Sequence, residues 1–285
     1  MKKLKRSGRL VDMTYYMLQH PHEVISLTYF ADRYQSAKSS ISEDLVIVKE
    51  IFEQEGYGTL LTIPGASGGV KYMPKVGEKE ASEIVDKLIS QLAVPGRVLP
   101  GGYLYMMDLL GSPRFIQDVG RLFASVLAHK KIDAVMTVAT KGIPLAYAVA
   151  EYLNVPVSIV RRDHRVTEGS MVSINYVSGS SKRIQTMTLA RRSLAPGSRV
   201  FIVDDFMKAG GTIRGMIDLL EEFQAELVGI GVLVESVDVD AEERLVDEYM
   251  SITRLSEVNV RDKTIKVEAG NVLEKLVPIA EEDLS

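Results

Sequence analysis

The sequence has no cysteine and only four histidines among its 285 residues. Without cysteine there can be no disulfide, no thiolate metal ligand and no thiol nucleophile. So few histidines also argue against a histidine-based zinc centre. No apolar run approaches the ~18 residues that a transmembrane helix needs, and no apolar segment follows the basic N-terminus as it does in a secretory signal peptide. We therefore expect a cytoplasmic protein with no membrane partner.

The composition is that of a globular protein, with 46% hydrophobic and 25% charged residues, which excludes a disordered or collagen-like chain. The length fits one large domain or two ordinary ones, at about 100–200 residues per domain. The net charge of −4 argues against a nucleic-acid binder when the chain is taken as a whole. The stretch up to residue 9 differs, because it carries only basic charges. Such an arm is typical of an interaction tail, and a solvated, frayed terminus is the alternative.

The residue pattern changes near Pro74, and we predict two domains, at residues 1–74 and 75–285. Apolar residues at helical spacing predict three helices in the first domain: one that ends at Pro21, one that Ser26 caps, and one that Ser36 or Ser39 caps. The expected buried stripe of the third helix is Ile41, Leu45, Val48, Ile51 and Phe52. Two β-patterns around a glycine-rich turn then predict a hairpin. This order is the outline of a winged helix-turn-helix.

A winged helix-turn-helix places the N-terminal end of its third helix in the major groove of DNA. In this chain that end has one lysine and several serines, which can bind phosphates and base edges. A lysine on the hairpin would reach the flanking DNA backbone. The predicted DNA-binding residues are Lys2, Lys3, Lys5, Arg6, Lys38, Ser39, Ser40, Ser42 and Lys71. The alternative is a small structural or protein-binding cap, because serine clusters also cap helices.

The strongest signal lies between residues 199 and 215. The apolar run 200–203 predicts a fully buried parallel strand. Asp204 and Asp205 end that strand, and a glycine-rich turn leads through Thr212 into an amphipathic helix. Ligands of open α/β sheets bind at the carboxyl ends of strands, and the N–H groups of such a turn can hold a phosphate. Two adjacent carboxylates repel each other unless they meet hydroxyls or a metal, and a ribose offers such hydroxyls.

This stretch resembles the phosphoribosyl pyrophosphate (PRPP) motif of the type I phosphoribosyltransferases. The resemblance implies that the acid pair binds the ribose hydroxyls and that the following loop binds the 5′-phosphate. Ala209 stands where members of that family often have a small hydroxyl residue, so one side-chain contact is missing. The PRPP-binding residues implied in this stretch are Asp204, Asp205, Phe206, Met207, Lys208, Ala209, Gly210, Gly211 and Thr212.

Three further segments are similar to parts of the same family. Thr140, Lys141 and Gly142 follow a predicted strand and resemble the loop that holds the diphosphate with its Mg²⁺. The polar, basic region 161–192 resembles the flexible β-hairpin that closes over the site. The region 100–113 resembles the hood, in which Tyr103 takes the position of an aromatic residue that stacks on the base. The respective alternatives are an ordinary helix start, a solvated hairpin and a core tyrosine.

Over essentially the whole chain, the order of the two parts and the segments 39–45, 168–181 and 204–212 resemble the pur operon repressor family of Gram-positive bacteria. The resemblance implies an α/β protein with an N-terminal winged helix-turn-helix and a C-terminal type I phosphoribosyltransferase fold. That fold has a central, mostly parallel sheet flanked by helices, a hood and a flexible hairpin. The resemblance also implies a non-catalytic homodimer that represses purine genes at operator double-stranded DNA. PRPP, with Mg²⁺, would release it.

Two other functions stay open from the sequence alone. A catalytically active purine phosphoribosyltransferase with an accessory N-terminal domain would release pyrophosphate from PRPP and a base. A regulator that binds another protein through its N-terminal domain would not bind promoter DNA. The sequence also leaves open whether the apolar stripe Ile84, Leu88, Ile89 and Leu92 packs inside the chain or across a dimer.

Overall fold

The structure is a computed structural model that describes residues 4–65, 68–94, 96–99, 104–163, 169–177, 184–237, 244–259 and 264–276. Of the predicted site residues, Lys2, Lys3 and Tyr103 lie outside these ranges, as do parts of the predicted hood and hairpin. Within these ranges, no helix has both the length and the apolar character of a membrane span.

The N-terminal head comprises three helices and a three-stranded antiparallel sheet in the order β1-β3-β2. Its elements are α1 (Arg6–Gln19), β1 (Val24–Ile25), α2 (Leu27–Tyr34), α3 (Lys38–Gln54), β2 (Thr59–Ile63) and β3 (Gly69–Met73). One apolar core holds the helices against the hairpin, with Met13, Phe30 and Ile41 fully enclosed. The predicted order of three helices and a hairpin is confirmed.

The helix starts of the head agree only in part with the prediction. Ser26 caps α2 as predicted, because its Oγ accepts a backbone N–H of the first turn at 3.1 Å. Helix α3 begins at Lys38 directly after Ala37, which has no side chain able to cap it. The predicted cap by Ser36 or Ser39 is therefore wrong. The serines predicted to meet DNA still lie in and just after the first turn of α3.

The buried face of α3 is narrower than predicted. Ile41, Leu45, Val48 and Phe52 are buried, whereas Ile51 is 47% exposed. The four buried residues follow one another at steps of three or four and so share one face of the helix. Ile51 lies about 100° around the helix from Phe52, which turns it toward solvent.

The C-terminal unit is built on a six-stranded sheet with the order β11-β10-β9-β8-β4-β5. Neighbouring strands are parallel except for the antiparallel pair β10–β11, and β6 and β7 form a separate hairpin. The elements are α4 (Glu78–Leu92), α5 (Met107–Leu110), α6 (Pro113–Val126), β4 (Ala134–Val138), α7 (Gly142–Leu153), β5 (Val157–Val160), β6 (Met171–Val177), β7 (Ile184–Ala190), β8 (Arg199–Met207), α8 (Gly211–Glu222), β9 (Glu226–Ser236), β10 (Met250–Asn259), β11 (Thr264–Ala269) and a 3₁₀ helix (Leu273–Lys275). The predicted mostly parallel sheet is confirmed.

Strand β8 lies in the interior of this sheet and contributes to a core on each face. Phe201 and Val203 pack into the core that α6 and α7 cover, and Val200 and Ile202 pack into the core beneath α8 and the hairpin. All four side chains are fully buried. A strand covered on both faces reads as a continuous apolar run, which explains why the sequence predicted it well.

The direction in which the sheet grows reverses between β4 and β8. From β4 the chain continues to β5 on one side, and from β8 it continues to β9 and β10 on the other. Open α/β sheets bind ligands in the crevice that such a reversal leaves at the carboxyl ends of the strands. The loop 140–142 follows β4, and the acid pair lies near the end of β8, so both predicted motifs border this crevice.

Helix α4 packs inside the chain. Ile84, Leu88 and Leu92 are buried in the same core as α6 and β10, and Ile89 packs partly buried against it. Of the two placements that the sequence left open for this stripe, the structure therefore has the internal one.

Candidate functional site

The acid pair lies in a buried position near the carboxyl end of β8. Asp204 is 4% exposed, and its Oδ1 accepts the backbone N–H of Asp205 at 2.9 Å. Burial, and then repulsion from Asp205, raise the pKa of Asp204 well above its usual range. Burial also raises the pKa of Asp205, although the Lys141 ammonium opposes that shift. The pair is thus poised to take up a proton, a cation or hydroxyl donors.

The loop after β4 reaches the acid pair from the neighbouring strand. Lys141 Nζ lies 4.0 Å from Asp205 Oδ2, and the peptide between Ala139 and Thr140 is cis. Gly142 begins α7, so the structure brings the predicted diphosphate loop and the predicted ribose-binding acids together. This juxtaposition joins residues that are some 60 positions apart in the sequence.

Gly142 is in close contact with the floor of the crevice. A Cβ at this position would lie 2.0 Å from Thr137 Oγ1 and 3.3 Å from Asp204 Oδ1. Thr137 is fully buried, and its hydroxyl has no hydrogen-bond partner among the described residues. Only a glycine therefore allows the start of α7 to approach both the acid pair and this hydroxyl. Sequence reasoning missed Thr137, because its position is one more residue of a predicted buried strand.

The turn after β8 is shaped to present backbone N–H groups. Gly210 is the N-cap of α8 and has φ +83°, in the left-handed region that favours glycine. The first N–H groups of any α-helix lack intrahelical partners, and they carry the positive end of the helix dipole. Thr212, half-buried in this first turn, adds a hydroxyl. Sequence and geometry together indicate an anion site here.

The remaining residues of the predicted motif have different surroundings. The Met207 side chain is buried in the core beneath α8, and Phe206 packs partly buried against the opposite core. Lys208 is exposed, and Ala209 is 8% exposed. The side chains of Phe206 and Met207 therefore hold the strand end in place between the two cores.

A segment that the sequence did not single out lies over the turn. The backbone N–H of Leu245 donates to the carbonyl of Ala209 at 2.9 Å. Val246 is close enough that a Cβ on Gly210 would lie 3.1 Å from its Cγ2. These contacts fix the conformation of the turn. Local pattern could not reveal them, because the two segments are distant in the sequence.

The hairpin β6–β7 contacts α8 directly. A Cβ on Gly215 would lie 2.9 Å from Tyr176 Cγ and 3.0 Å from Met187 Sδ. A cleft between the hairpin and the start of α8 is lined by Tyr176, Ile184, Gly211 and Arg214, among others. The described part of the hairpin is thus packed on the helix whose first turn is the candidate anion site.

In the head, two arginines at the start of α1 form ion pairs with an aspartate of α3. Arg6 Nε donates to Asp44 Oδ1 at 2.8 Å, and Arg9 donates to Oδ2 from Nε and Nη2 at 3.0 and 2.8 Å. The Asp44 side chain is fully buried, whereas the Arg9 side chain is 12% and the Arg6 side chain 55% exposed. Arg9 therefore serves the fold. Arg6, predicted to bind DNA, is held at α3 with half of its surface open.

The other described residues of the predicted DNA surface lie at the start of α3 and on β3. Lys38, Ser39 and Ser42 are exposed, and Ser40 is half-buried. Lys71 is half-buried on the central strand of the head sheet, close to His22. Lys5 precedes α1 and is exposed. The start of α3 thus offers small polar groups and one cation to an approaching partner.

The chain matches two known families, one for each part. Residues 5–74 match the family described as bacterial purine repressor, N-terminal, and residues 107–270 match the phosphoribosyl transferase domain. The purine biosynthesis transcriptional repressor PurR of Bacillus subtilis (strain 168) is 66% identical over 271 residues, which are 95% of this chain and 94% of that protein. The chain belongs to the bacterial purine repressor family. Its recognition from sequence as a member of the pur operon repressors is confirmed.

Other members of the bacterial purine repressor family have different regulatory names. The purine biosynthesis transcriptional activator PurR of Lactococcus lactis subsp. lactis is 45% identical over 94% of this chain and 98% of its own length. The relatives that align over nearly the whole chain are thus named as transcriptional regulators. A xanthine phosphoribosyltransferase of the same organism is 29% identical over only 62% of the chain. The expectation of a regulator in place of an enzyme is confirmed by these relatives.

Solved structures share the fold of the C-terminal unit. The adenine phosphoribosyltransferase of Thermoanaerobacter pseudethanolicus has a TM-score of 0.52 at 20% identity, and covers 59% of this chain and 97% of that one. The enzyme from Giardia lamblia gives a TM-score of 0.53 at 21% identity, with 61% and 98% coverage. At these identities the likeness establishes the fold alone. The expected phosphoribosyltransferase fold is confirmed.

Proposed function

We propose that this chain represses purine biosynthesis genes in the cytoplasm, and that PRPP releases it from operator DNA. Residues 1–74 would bind the DNA as part of a homodimer, and residues 75–285 would bind PRPP. The observation that carries the proposal is the crevice between β4 and β8. There a buried acid pair, a lysine and the uncapped start of a helix converge, in a chain whose head belongs to the purine repressors.

The crevice matches the chemistry of PRPP group by group. The ribose hydroxyls can donate to Asp204 and Asp205, and these hydrogen bonds favour the ionised carboxylates against the burial that raises the pKa of both acids. The 5′-phosphate fits the N–H groups of the turn at Gly210 and of the first turn of α8. With the ribose and the 5′-phosphate placed in this way, the diphosphate would lie next to Lys141, which is half-exposed beside the acid pair. Each charged part of the ligand thus has an oppositely polarised partner.

The site is compatible with Mg²⁺ that arrives with the ligand. Among the described residues, no three histidine or carboxylate side chains are grouped closely enough to hold a metal ion. Mg²⁺ is usually bound through one or two carboxylates together with substrate phosphates and water. Asp204 and Asp205 are the carboxylates that could complete the shell of such an ion, and the diphosphate would supply the rest. We therefore expect tighter binding of PRPP when Mg²⁺ is present.

The DNA-binding surface is proposed at the N-terminal end of α3. The exposed Lys38, Ser39 and Ser42 would enter the major groove, while Lys5 and the half-exposed Arg6 would contact phosphates at its edge. Two such ends in a homodimer would meet paired half-sites. Because phosphate contacts release counterions, affinity for DNA should fall steeply as salt rises.

The coupling between the two ligands is negative and reciprocal. A ligand that lowers DNA affinity must itself bind the DNA complex more weakly by the same factor, typically worth ~1–3 kcal/mol. Abundant purines deplete PRPP, so the repressor engages its operator when synthesis is not needed.

Fluorescence anisotropy on purine-promoter DNA, with and without Mg-PRPP, tests the proposal. We expect Mg-PRPP to weaken DNA binding by wild type by about 5–150-fold. Asp204→Asn should bind DNA but lose this response. Asp86→Asn, which removes a charge from the exposed face of α4, should respond like wild type. A full response of Asp204→Asn, or robust pyrophosphate release from PRPP and any purine base, would contradict the proposal.

A further inference from the structure

One face of α6 is directed at the N-terminal head. Arg121 and Ser125 lie one helical turn apart and so share this face, and Ala128 lies two residues beyond the end of the helix. Ser125 Oγ accepts the backbone N–H of Val76 at 3.0 Å, in a buried position. Ala128 packs in a small apolar cluster with Leu61 of β2 and with Met73 of β3. The C-terminal unit thus contacts both strands of the hairpin through the turn that directly follows α6.

Arg121 makes the polar contacts of this interface. Its Nη2 donates to the carbonyl of Gly56 at 2.6 Å, and Nη1 and Nη2 donate to Glu80 Oε1 and Oε2 at 2.8 and 2.7 Å. Gly56 lies in the turn between α3 and β2, and Glu80 lies in the first turn of α4. One guanidinium therefore joins the end of the third helix of the head to the start of the C-terminal unit. The planar fork of arginine fits this arrangement, and lysine cannot reproduce it.

The same helix is in direct contact with α7. A Cβ on Gly120 would lie 2.6 Å from the backbone carbon and oxygen of Ala148, so the two helix backbones touch without an intervening side chain. Helix α7 begins at Gly142, against Asp204 and the diphosphate loop. A chain of packed contacts therefore runs from the ligand crevice through α7 and α6 to the hairpin and to the end of α3. Packed elements of this kind shift between discrete arrangements because they do not deform continuously.

We propose that α7 and α6 carry the effect of PRPP to the head, and that Arg121 is the positioning residue through which the head responds. This inference rests on the proposed function, since it presumes that PRPP weakens DNA binding. A ligand at Lys141 and Gly142 would displace the start of α7, and the contact at Gly120 would pass that displacement to α6. Arg121 would then pull on the turn at Gly56, which ends α3. Release from DNA would follow from a tilt of α3, with no overlap between ligand and DNA.

Arg121→Lys tests the proposal, with Arg114→Lys as the matched control on an exposed position of the same helix. For each variant, titration calorimetry gives the Mg-PRPP affinity, and anisotropy gives the DNA affinity with and without Mg-PRPP. We expect Arg121→Lys to bind Mg-PRPP within about twofold of wild type and to lose about threefold or more of the coupling factor. Arg114→Lys should retain the coupling factor. An unchanged coupling factor in Arg121→Lys overturns the inference.

Hydrogen exchange on wild type keeps the test independent of the folding of any variant. Addition of Mg-PRPP should change the exchange of amides in residues 56–61 and 75–80, which lie around Arg121. No change there overturns the inference even if DNA is released, because ligand and DNA would then compete directly. If wild type does not bind Mg-PRPP, or is not released by it, the proposed function itself fails. If Mg-PRPP releases wild type from DNA and Arg121→Lys keeps the full coupling factor, the relay is refuted while the proposed function stands.

Discussion

Replacing Gly142 with alanine should disturb the ligand crevice through a single steric contact. The new Cβ would lie 2.0 Å from Thr137 Oγ1, so this buried hydroxyl must retreat by more than ~1 Å to reach a normal contact of about 3.5 Å. Overpacking of this kind typically costs about 1–3 kcal/mol. Because Gly142 is helical, Gly→Ala would otherwise be neutral or stabilising by about 0.4–1 kcal/mol. A loss of stability therefore reports the clash.

The assay is thermal unfolding together with titration of Mg-PRPP. We expect a lower Tm, by about 2–4 °C for each kcal/mol lost, and a PRPP affinity at least tenfold weaker, because Asp204 Oδ1 would lie 3.3 Å from the same Cβ. Tenfold corresponds to about 1.4 kcal/mol. Gly8→Ala is the matched control, since Gly8 is also helical and a Cβ there meets only the Leu4 side chain, at 3.7 Å, and it should not lower Tm or affinity.

A second substitution identifies the clashing atom. Thr137→Ala removes the hydroxyl, so combined with Gly142→Ala it should restore much of the PRPP affinity, a coupling that independent sites do not show. Thr137→Val keeps an atom in the same place and should not rescue. By itself, Thr137→Val should be neutral or stabilising, because the hydroxyl has no partner in the described structure. Full affinity in Gly142→Ala alone, or equal rescue by valine and alanine, would refute the reasoning.

Three more predictions concern charge. Arg9→Met should lower the free energy of unfolding, measured with denaturant, by about 2–3 kcal/mol, which is less than the cost of an unpaired buried charge because Arg6 still pairs with Asp44. Arg6→Met, at an exposed position, should lower it by less than about 1 kcal/mol. Equal losses in the two variants would contradict this. Ribose hydroxyls favour ionised carboxylates, so Mg-PRPP affinity should rise with pH through the raised pKa of Asp204, and calorimetry on Asp204→Asn should show a weaker dependence. Burial and Lys71 lower the pKa of His22 to about 4, so thermal stability of the head should fall as pH drops from about 6.5 toward 4. His22→Asn, which tolerates the φ of +61°, should reduce that fall; an unchanged slope would count against it.

The sequence predicted those features that depend on neighbouring residues. The cap at Ser26 and the buried stripe of α3 follow from local spacing. The strand, the acid pair and the turn at Gly210 are consecutive, and each has a distinct chemical signature. Local pattern was therefore sufficient to predict the strand, turn and helix that border the crevice.

Features that depend on distant contacts were missed or misjudged. Asp44 reads as a polar residue of an amphipathic helix, but arginines 35 and 38 positions away bury it. Arg121 bonds to a carbonyl 65 positions away, which no periodicity indicates. Ile51 was expected in the core because it is apolar, yet the width of the face that α1 and α2 cover decides its exposure.

The short connection between the two parts of the chain limits how the protein can read DNA. Residues 74–77 alone separate β3 from α4, and α4 is embedded in the core of the C-terminal unit. In the proposed homodimer, the two heads would therefore be held in fixed positions and could not adjust to half-sites at variable separation. Inserting half a helical turn, about 5 base pairs, between half-sites would rotate one of them to the opposite side of the duplex. This insertion should weaken DNA binding far more than a change of base sequence at a single contacted pair.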